Sequence, residues 1–234
     1  MPKELIIVIP VYNEAQIIQT VIKDWATTLR DLKIDFELRA YNDGSTDATS
    51  EKLHEIAPTY RELTVIDKPN SGHGPTILKG YRDADARYVF QVDSDNEMKA
   101  KYFEQLWKER DKYDFIIGRR KFSFKVPLPR RIISFMAKKC VRFFYGKGIS
   151  DVNVPYRLMR KDKFSEVYEA IPAETFAPNV IISGMAIRKK MNIKDCFVPT
   201  DFRATGTVSI QRMKLLKVAI RSFNETISFA FSRS

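Results

Sequence analysis

An α/β fold, a mostly parallel sheet flanked by helices, is what the first 117 residues predict. Three observations carry it. Short β-rich runs alternate with longer stretches of helical spacing. The first strand, residues 5–10, is continuously apolar, as a parallel strand buried on both faces must be. The early strands each run into a loop dense in polar side chains, and ligands on such sheets bind at the carboxyl ends of the strands.

The elements follow in order. Residues 15–32 place Ile17, Ile18, Val21, Ile22, Trp25, Leu29 and Leu32 at helical intervals. Residues 36–41 read as the second strand, and 47–56 as a helix that Asp47 can cap. A third strand spans 63–66, followed by a glycine-containing turn and a helix over 75–84. The fourth strand covers 88–92, a helix fills 100–112, and the fifth strand is 115–117. After Gly118 the alternation stops, and basic segments of helical character take over. With no repeat, low-complexity tract or long linker, residues 1–234 read as a single domain with a basic second lobe.

The net charge of +11 is unevenly spread. Residues 1–117 hold 16 Lys/Arg against 21 Asp/Glu, whereas residues 118–234 hold 24 against 8. A basic half implies an anionic partner such as nucleic acid, anionic lipid or a phosphorylated substrate, or else a solvated face. Two basic segments also carry large apolar side chains, 129–145 and 210–231. In the second, Met213, Leu216, Ile220, Phe223, Ile227 and Phe231 recur at spacings of three and four, among Arg212, Lys214, Lys217 and Arg221. Such helices suit either a membrane headgroup layer or a core-facing packing site. Cys140 and Cys196 lack any zinc or redox spacing and read as free thiols of a reducing compartment. The opening residues lack the pattern of a signal peptide, and no apolar run is long enough to cross a bilayer. A cytoplasmic protein, peripheral on the membrane, is the expectation.

The strand-end loops carry the chemistry. They are Pro10-Val11-Tyr12-Asn13-Glu14, Asn42 to Asp47, Lys68 to Gly74, and Asp93-Ser94-Asp95-Asn96-Glu97. Asp93, Asp95 and Glu97, at alternate positions past an apolar strand, can point into one cleft and hold a hard divalent cation, Mg²⁺ or Mn²⁺, against substrate phosphates. Asp43 can accept hydrogen bonds from a nucleobase edge. His73 reads as an incidental loop histidine and His54 as a helix surface residue.

In content, order and spacing, Ile9 to Glu14, Asn42 to Asp47, Asn70 to Gly74 and Asp93-Ser94-Asp95 resemble family 2 glycosyltransferases of the GT-A fold. The likeness is greatest to dolichyl- and polyprenyl-phosphate sugar synthases. It continues more loosely through Gly118-Arg119-Arg120, Arg131 with Ser134, Asp151 with Tyr156-Arg157, and Phe202-Arg203 with Gly206. The resemblance implies a GDP- or UDP-sugar donor bound by the first half and an acceptor bound by the second. Pro10, Tyr12, Glu14 and Asp43 fall where the family holds nucleobase and ribose. Asp93, Asp95 and Glu97 fall at its metal, although the third position is more often Gln. Asp95 and Arg203 are thus the catalytic candidates, with Arg203 on the donor phosphates, and Arg120 and Arg131 lie near an acceptor phosphate.

There are departures. Val208-Ser209 stands where a Ser-Lys pair is expected, so one phosphate-binding cation is missing, and residues 175–179 lack the acidic base of saccharide-extending relatives. An acceptor phosphate needs no base, whereas a sugar hydroxyl normally does. An inverting transfer to a polyprenyl phosphate is therefore expected, with a surface polysaccharide or lipid-linked oligosaccharide as the alternative acceptor and Asp151, Glu174 or Asp201 as its possible base. A nucleic-acid-binding protein would use the basic half but would leave the four loops unexplained. A sugar-nucleotide pyrophosphorylase would need a glycine-rich phosphate loop after the first strand, which is absent.

Overall fold

The computed structural model describes residues 3–120, 128–200 and 212–232. Its centre is a seven-stranded sheet in the order β3-β2-β1-β4-β6-β5-β7. The strands are β1 (Lys3–Val11), β2 (Phe36–Asp43), β3 (Leu63–Lys68), β4 (Ala86–Val92), β5 (Phe115–Arg119), β6 (Tyr156–Arg160) and β7 (Ile193–Phe197). Six of them share one direction, and β6 alone opposes its neighbours β4 and β5. The helices are α1 (Ile18–Asp31), α2 (Thr49–Ile56), α3 (His73–Asp83), α4 (Glu104–Trp107), α5 (Leu128–Phe144), α6 (Lys161–Ala170), α7 (Pro178–Arg188) and α8 (Arg212–Ser232).

The five expected strands are present, each within two residues of its predicted ends. β1 is buried from Leu5 to Val11 because it lies between β2 and β4 and under helices on either side. Trp25 of α1 packs 5.2 Å from the Phe90 ring of β4 and 5.6 Å from Phe103, and Phe90 meets Tyr156 of β6 at 4.7 Å. Edge-to-face and tilted contacts of this kind add to the burial that holds the two halves of the sheet together.

Three differences from the sequence reading have local causes. α1 starts three residues late, because the backbone N–H groups of Asn13, Glu14 and Ala15 donate to Ser45, Thr49 and Asp47 of the second loop instead of entering a helix. The helix expected over 100–112 breaks into a 3₁₀ turn (Ala100–Tyr102) and the single turn of α4. The second lobe is not helical throughout, since β6 and β7 extend the sheet through it.

Candidate active site

Strand order reverses between β1 and β4, which makes this the switch point of the sheet. Pairing of β1 with β4 ends at Val8↔Gln91, whereas β1 stays paired with β2 as far as Val11↔Asn42. The two central strands therefore part at their carboxyl ends, and a crevice opens there, where open α/β sheets bind ligands.

Four loops meet around it. The first and second are stitched by Asn13, whose Oδ1 accepts from Thr46 N at 2.8 Å and whose N–H donates to Ser45 Oγ at 3.0 Å. Asn13 takes a left-handed φ of 55°, which asparagine tolerates better than most residues. The second and third loops are joined by Asp43. Its carboxylate accepts from the backbone N–H groups of Ser71 and Gly72, each at 2.8 Å, and forms an ion pair with Lys68. Gly44 permits that approach: its φ is +66°, and a Cβ there would lie 2.8 Å from Asn70 N. The third and fourth loops are joined by His73, whose Nε2 lies 2.9 Å from Asp93 Oδ1. Because β6 runs the opposite way, its amino-terminal approach reaches the same edge, and there Asp151 takes Arg120 in a two-bond pair of 2.8 and 3.2 Å.

The predicted residues fall as follows. Tyr12 is 43% exposed at the mouth of the crevice, a free aromatic face. Pro10 is buried in β1 opposite Tyr41, so its ring faces protein. Asp43 is only 4% exposed and organises the third loop rather than standing open toward a base. Glu14 is half-buried at the end of the first loop. Asp93, Asp95 and Glu97 are all partly exposed, while Ser94, Asn96 and Met98 between them are buried, as the alternation predicts. Asn96, however, has a left-handed φ of 57°, which turns the chain between Asp95 and Glu97. Among the described residues no three His, Cys, Asp or Glu side chains form a group that could hold a metal. Asp93, Asp95 and Glu97 are thus not gathered into one three-carboxylate group. Two oxygen donors still suit Mg²⁺ or Mn²⁺, which usually complete their shell with water and substrate phosphates. Arg131 lies in the first turn of α5, its side chain outside the description, and Arg203 lies outside the described residues.

Sequence reasoning missed two contributors. His73 is no incidental residue: desolvation in the cleft works against its charged form, but Asp93, Asp95 and Asp43 outweigh it and raise its pKa. His54, read as a helix surface residue, is exposed on α2 and pairs with Asp67 Oδ2 at 2.6 Å. Gln91 is fully buried yet donates to Asp93 Oδ1 at 2.8 Å; the signal was a lone amide inside an apolar strand. Arg120 loses by desolvation but is held charged by Asp151, with Asp93 and Glu97 adding to the attraction, so it shares the electrostatics of the acidic loop.

Asp43 gives the loop an acid limit. Burial opposes its charge, yet Lys68 and the Ser71 N–H overcome that and hold its pKa below the ordinary 3.8. A carboxyl more acidic folded than unfolded stabilises fully above that ordinary value, and the contribution is lost as pH falls through the folded one. The Ser71 and Gly72 amide resonances are expected to titrate together with a midpoint below 3.8; a midpoint above it would contradict this pairing.

With this geometry in view, the comparisons fall into place. Residues 6–168 match the family described as Glycosyl transferase family 2. The chain belongs to glycosyl transferase family 2. This family 2 chain is 24% identical over 218 residues to an undecaprenyl-phosphate 4-deoxy-4-formamido-L-arabinose transferase of Pectobacterium carotovorum subsp. carotovorum (strain PC1), covering 92% of the chain and 65% of the relative. A protein of the same name from Photorhabdus laumondii subsp. laumondii is 22% identical, with 92% and 66% covered. The chain thus spans just under two thirds of the length of these relatives. Its fold matches that of glucosyl-3-phosphoglycerate synthase from Mycobacterium tuberculosis with Mn²⁺ and UDP-glucose, at a TM-score of 0.68 and 13% identity over 98% of this chain and 79% of that one. It also matches S. aureus TarS 1-349 with UDP-GlcNAc, at 0.60 and 14% over 98% and 74%. The family 2 chain therefore has the GT-A glycosyltransferase fold, and the four gathered loops are the part of it that the sequence motifs singled out.

Proposed function

We propose that this chain is an inverting, metal-dependent glycosyltransferase that moves a sugar from a nucleoside diphosphate to the phosphate of a polyprenyl-type lipid at a membrane surface. The observation that carries this reading is the meeting of four polar loops at the switch point, with exposed Tyr12 on the first loop and Asp93 on the fourth. Tyr12 offers a face to the nucleobase, and Glu14, two residues on in the same loop, is assigned to the ribose. Asp43 acts by fixing the 70–74 loop. Asp93 and Asp95 would hold Mg²⁺ or Mn²⁺, which neutralises charge on a bound diphosphate. As the anomeric bond breaks, charge grows on that diphosphate, and Arg203 is assigned to meet it there.

The acceptor is read from what the acids and bases are already doing. Asp151, one of the three acids considered as a base, is tied to Arg120, and position 179 holds a buried amide in place of an acid. A lipid phosphate is anionic already and attacks without losing a proton. Asp151 uses two of the five N–H groups on Arg120, and among the described residues nothing takes the others, which are assigned to an acceptor phosphate along with exposed Arg119 and with Arg131. The relatives named for transfer to undecaprenyl phosphate support the same acceptor.

Membrane contact falls to α5 and α8. Over residues 219–232 of α8 the buried positions are Ala219, Thr226, Phe229 and Ala230, whereas Ile220 and Phe231 of the predicted apolar stripe are 53% and 67% exposed. On α5, Phe135, Met136 and Phe143 are exposed beside Lys138, Lys139 and Arg142. Phe143 and Phe231 each pack on Phe144, so the exposed rings form one cluster. Apolar side chains edged by cations suit an anionic headgroup layer on the cytoplasmic face. No helix among the described residues is long and apolar enough to cross a membrane.

Purified protein with labelled UDP- or GDP-sugar, Mn²⁺ and polyprenyl phosphate is expected to yield glycosylated lipid phosphate. Transfer only to a saccharide would replace the acceptor assigned here. On vesicles containing phosphatidylglycerol, changing Phe143 or Phe231 to Ser should each lower co-sedimentation roughly tenfold, the scale set by burying one phenyl ring. Unchanged co-sedimentation would remove this surface from the reading.

A further inference from the structure

Asp93 is the end of a buried chain of amides. Gln91 of β4, Asn179 of α7 and Tyr81 of α3 are all at most 1% exposed. Gln91 Nε2 lies 2.8 Å from Asp93 Oδ1, Asn179 Nδ2 lies 3.0 Å from Gln91 Oε1, and Tyr81 Oη lies 2.9 Å from Asn179 Oδ1 and 3.1 Å from Gln91 Oε1. Chemistry allows this chain a single polarity. An ionised carboxylate only accepts, so Gln91 must turn its NH₂ to Asp93. Its carbonyl then faces Asn179, which must answer with its own NH₂. The Asn179 carbonyl is left to face the Tyr81 hydroxyl, and burial raises the pKa of that phenol, so it stays a donor. Flipping either amide would set oxygen against oxygen at hydrogen-bond distance, in an interior where an unpaired polar group is costly.

The consequence lies at Asp93. His73 and Gln91 both bond Oδ1, and among the described residues no donor reaches Oδ2. We infer that Tyr81, Asn179 and Gln91 are positioning residues, a one-way hydrogen-bond chain that fixes the Asp93 carboxylate by Oδ1 and leaves Oδ2 for the cation that a bound diphosphate carries. This rests on the donor site proposed above. It also gives Asn179 a use: an amide at that position supplies the donor that an acid could not, and α7 is thereby linked to the acidic loop. Partners behind a ligating group typically change metal affinity by about 10–100-fold when removed.

The test measures Mn²⁺ binding directly, by electron paramagnetic resonance, with saturating UDP or GDP. Wild-type protein that binds no Mn²⁺ with either nucleotide would sink the donor-site reading itself. Given wild-type binding, Gln91→Met and Asn179→Asp should each weaken Mn²⁺ about tenfold, and Tyr81→Phe by less than about threefold, because Asn179 still orients Gln91. Activity of Gln91→Met should return to within about threefold of wild type at saturating Mn²⁺, a rise in the metal KM that a mere loss of folding would not give. A folded Gln91→Met protein with unchanged Mn²⁺ affinity overturns the inference. Should that variant not fold, Asn179→Asp decides in the same way. In the wild type the Gln91 side-chain amide resonance should shift on adding Mg²⁺ and UDP while those of Gln19 and Gln105 stay in place; a silent Gln91 also overturns it.

Discussion

Asp95→Asn is expected to lower kcat on the order of a thousandfold, the scale of losing one preorganised electrostatic contact to a charge that develops in the transition state. Asparagine is the informative replacement. Asp95 Oδ1 accepts from the Glu97 backbone N–H at 3.0 Å, and an asparagine oxygen can keep that bond and hence the turn. What is lost is the negative charge at one of the two carboxylates assigned to the cation. The melting temperature should therefore change by no more than a degree or two, about the shift that a few tenths of a kcal/mol gives in a chain of this size. Steady-state kinetics beside thermal unfolding separates the two quantities. A fall in kcat with an unmoved melting point assigns Asp95 to the chemistry, full activity withdraws it from the metal, and parallel losses of both make it a fold residue.

The fold was legible where one face or both faces of an element are apolar, and obscure where charge enters the core. β1 and β4 are near-continuous apolar runs and could be read directly. β6 and β7 could not: Tyr-Arg-Leu-Met-Arg and Ile-Lys-Asp-Cys-Phe look like surface sequence, and only tertiary contacts explain why Arg157 is inside. The site divides in the same way. That four loops share one rim follows from a parallel sheet, so Asp93 and Arg120 come close although 27 positions separate them in the sequence. Which loop residues face ligand and which hold the loops together does not follow from that. Pro10 and Asp43 sit in the motifs yet turn inward, because a loop packed at a crevice must satisfy its own backbone before it can offer groups to a substrate. The Asp47 cap was nearly right in type: the carboxylate does receive the Thr49 N–H at 3.0 Å, but from one residue before the cap position, and it receives Ala15 N–H as well.

Arg157→Met should be the most destabilising single change in the second lobe. The Arg157 side chain is wholly buried and donates to three backbone carbonyls, Val154 at 3.0 Å, Asn179 at 3.1 Å and Val152 at 3.2 Å. Two effects oppose one another. Burial pushes the guanidinium pKa down, so removing the charge relieves a desolvation cost. The carbonyls, however, belong to the backbone and cannot be removed with it, and each buried acceptor left without a donor costs about 1–3 kcal/mol. Val152 O keeps a second donor in Ser183 Oγ at 2.7 Å, so at most two acceptors are orphaned, which still outweighs the relief, for a net loss on the order of 2 kcal/mol and a melting point roughly 5 °C lower. Arg157→Lys should fall between, since an ammonium on a flexible stem lacks the planar fork that reaches three acceptors at once. The order of stability in thermal unfolding is thus wild type, then lysine, then methionine. A methionine variant as stable as the lysine variant would mean that water reaches the carbonyls that Arg157 alone serves. The buried cation would then be dispensable to the joint between β6 and α7, the same joint from which Asn179 reaches Gln91.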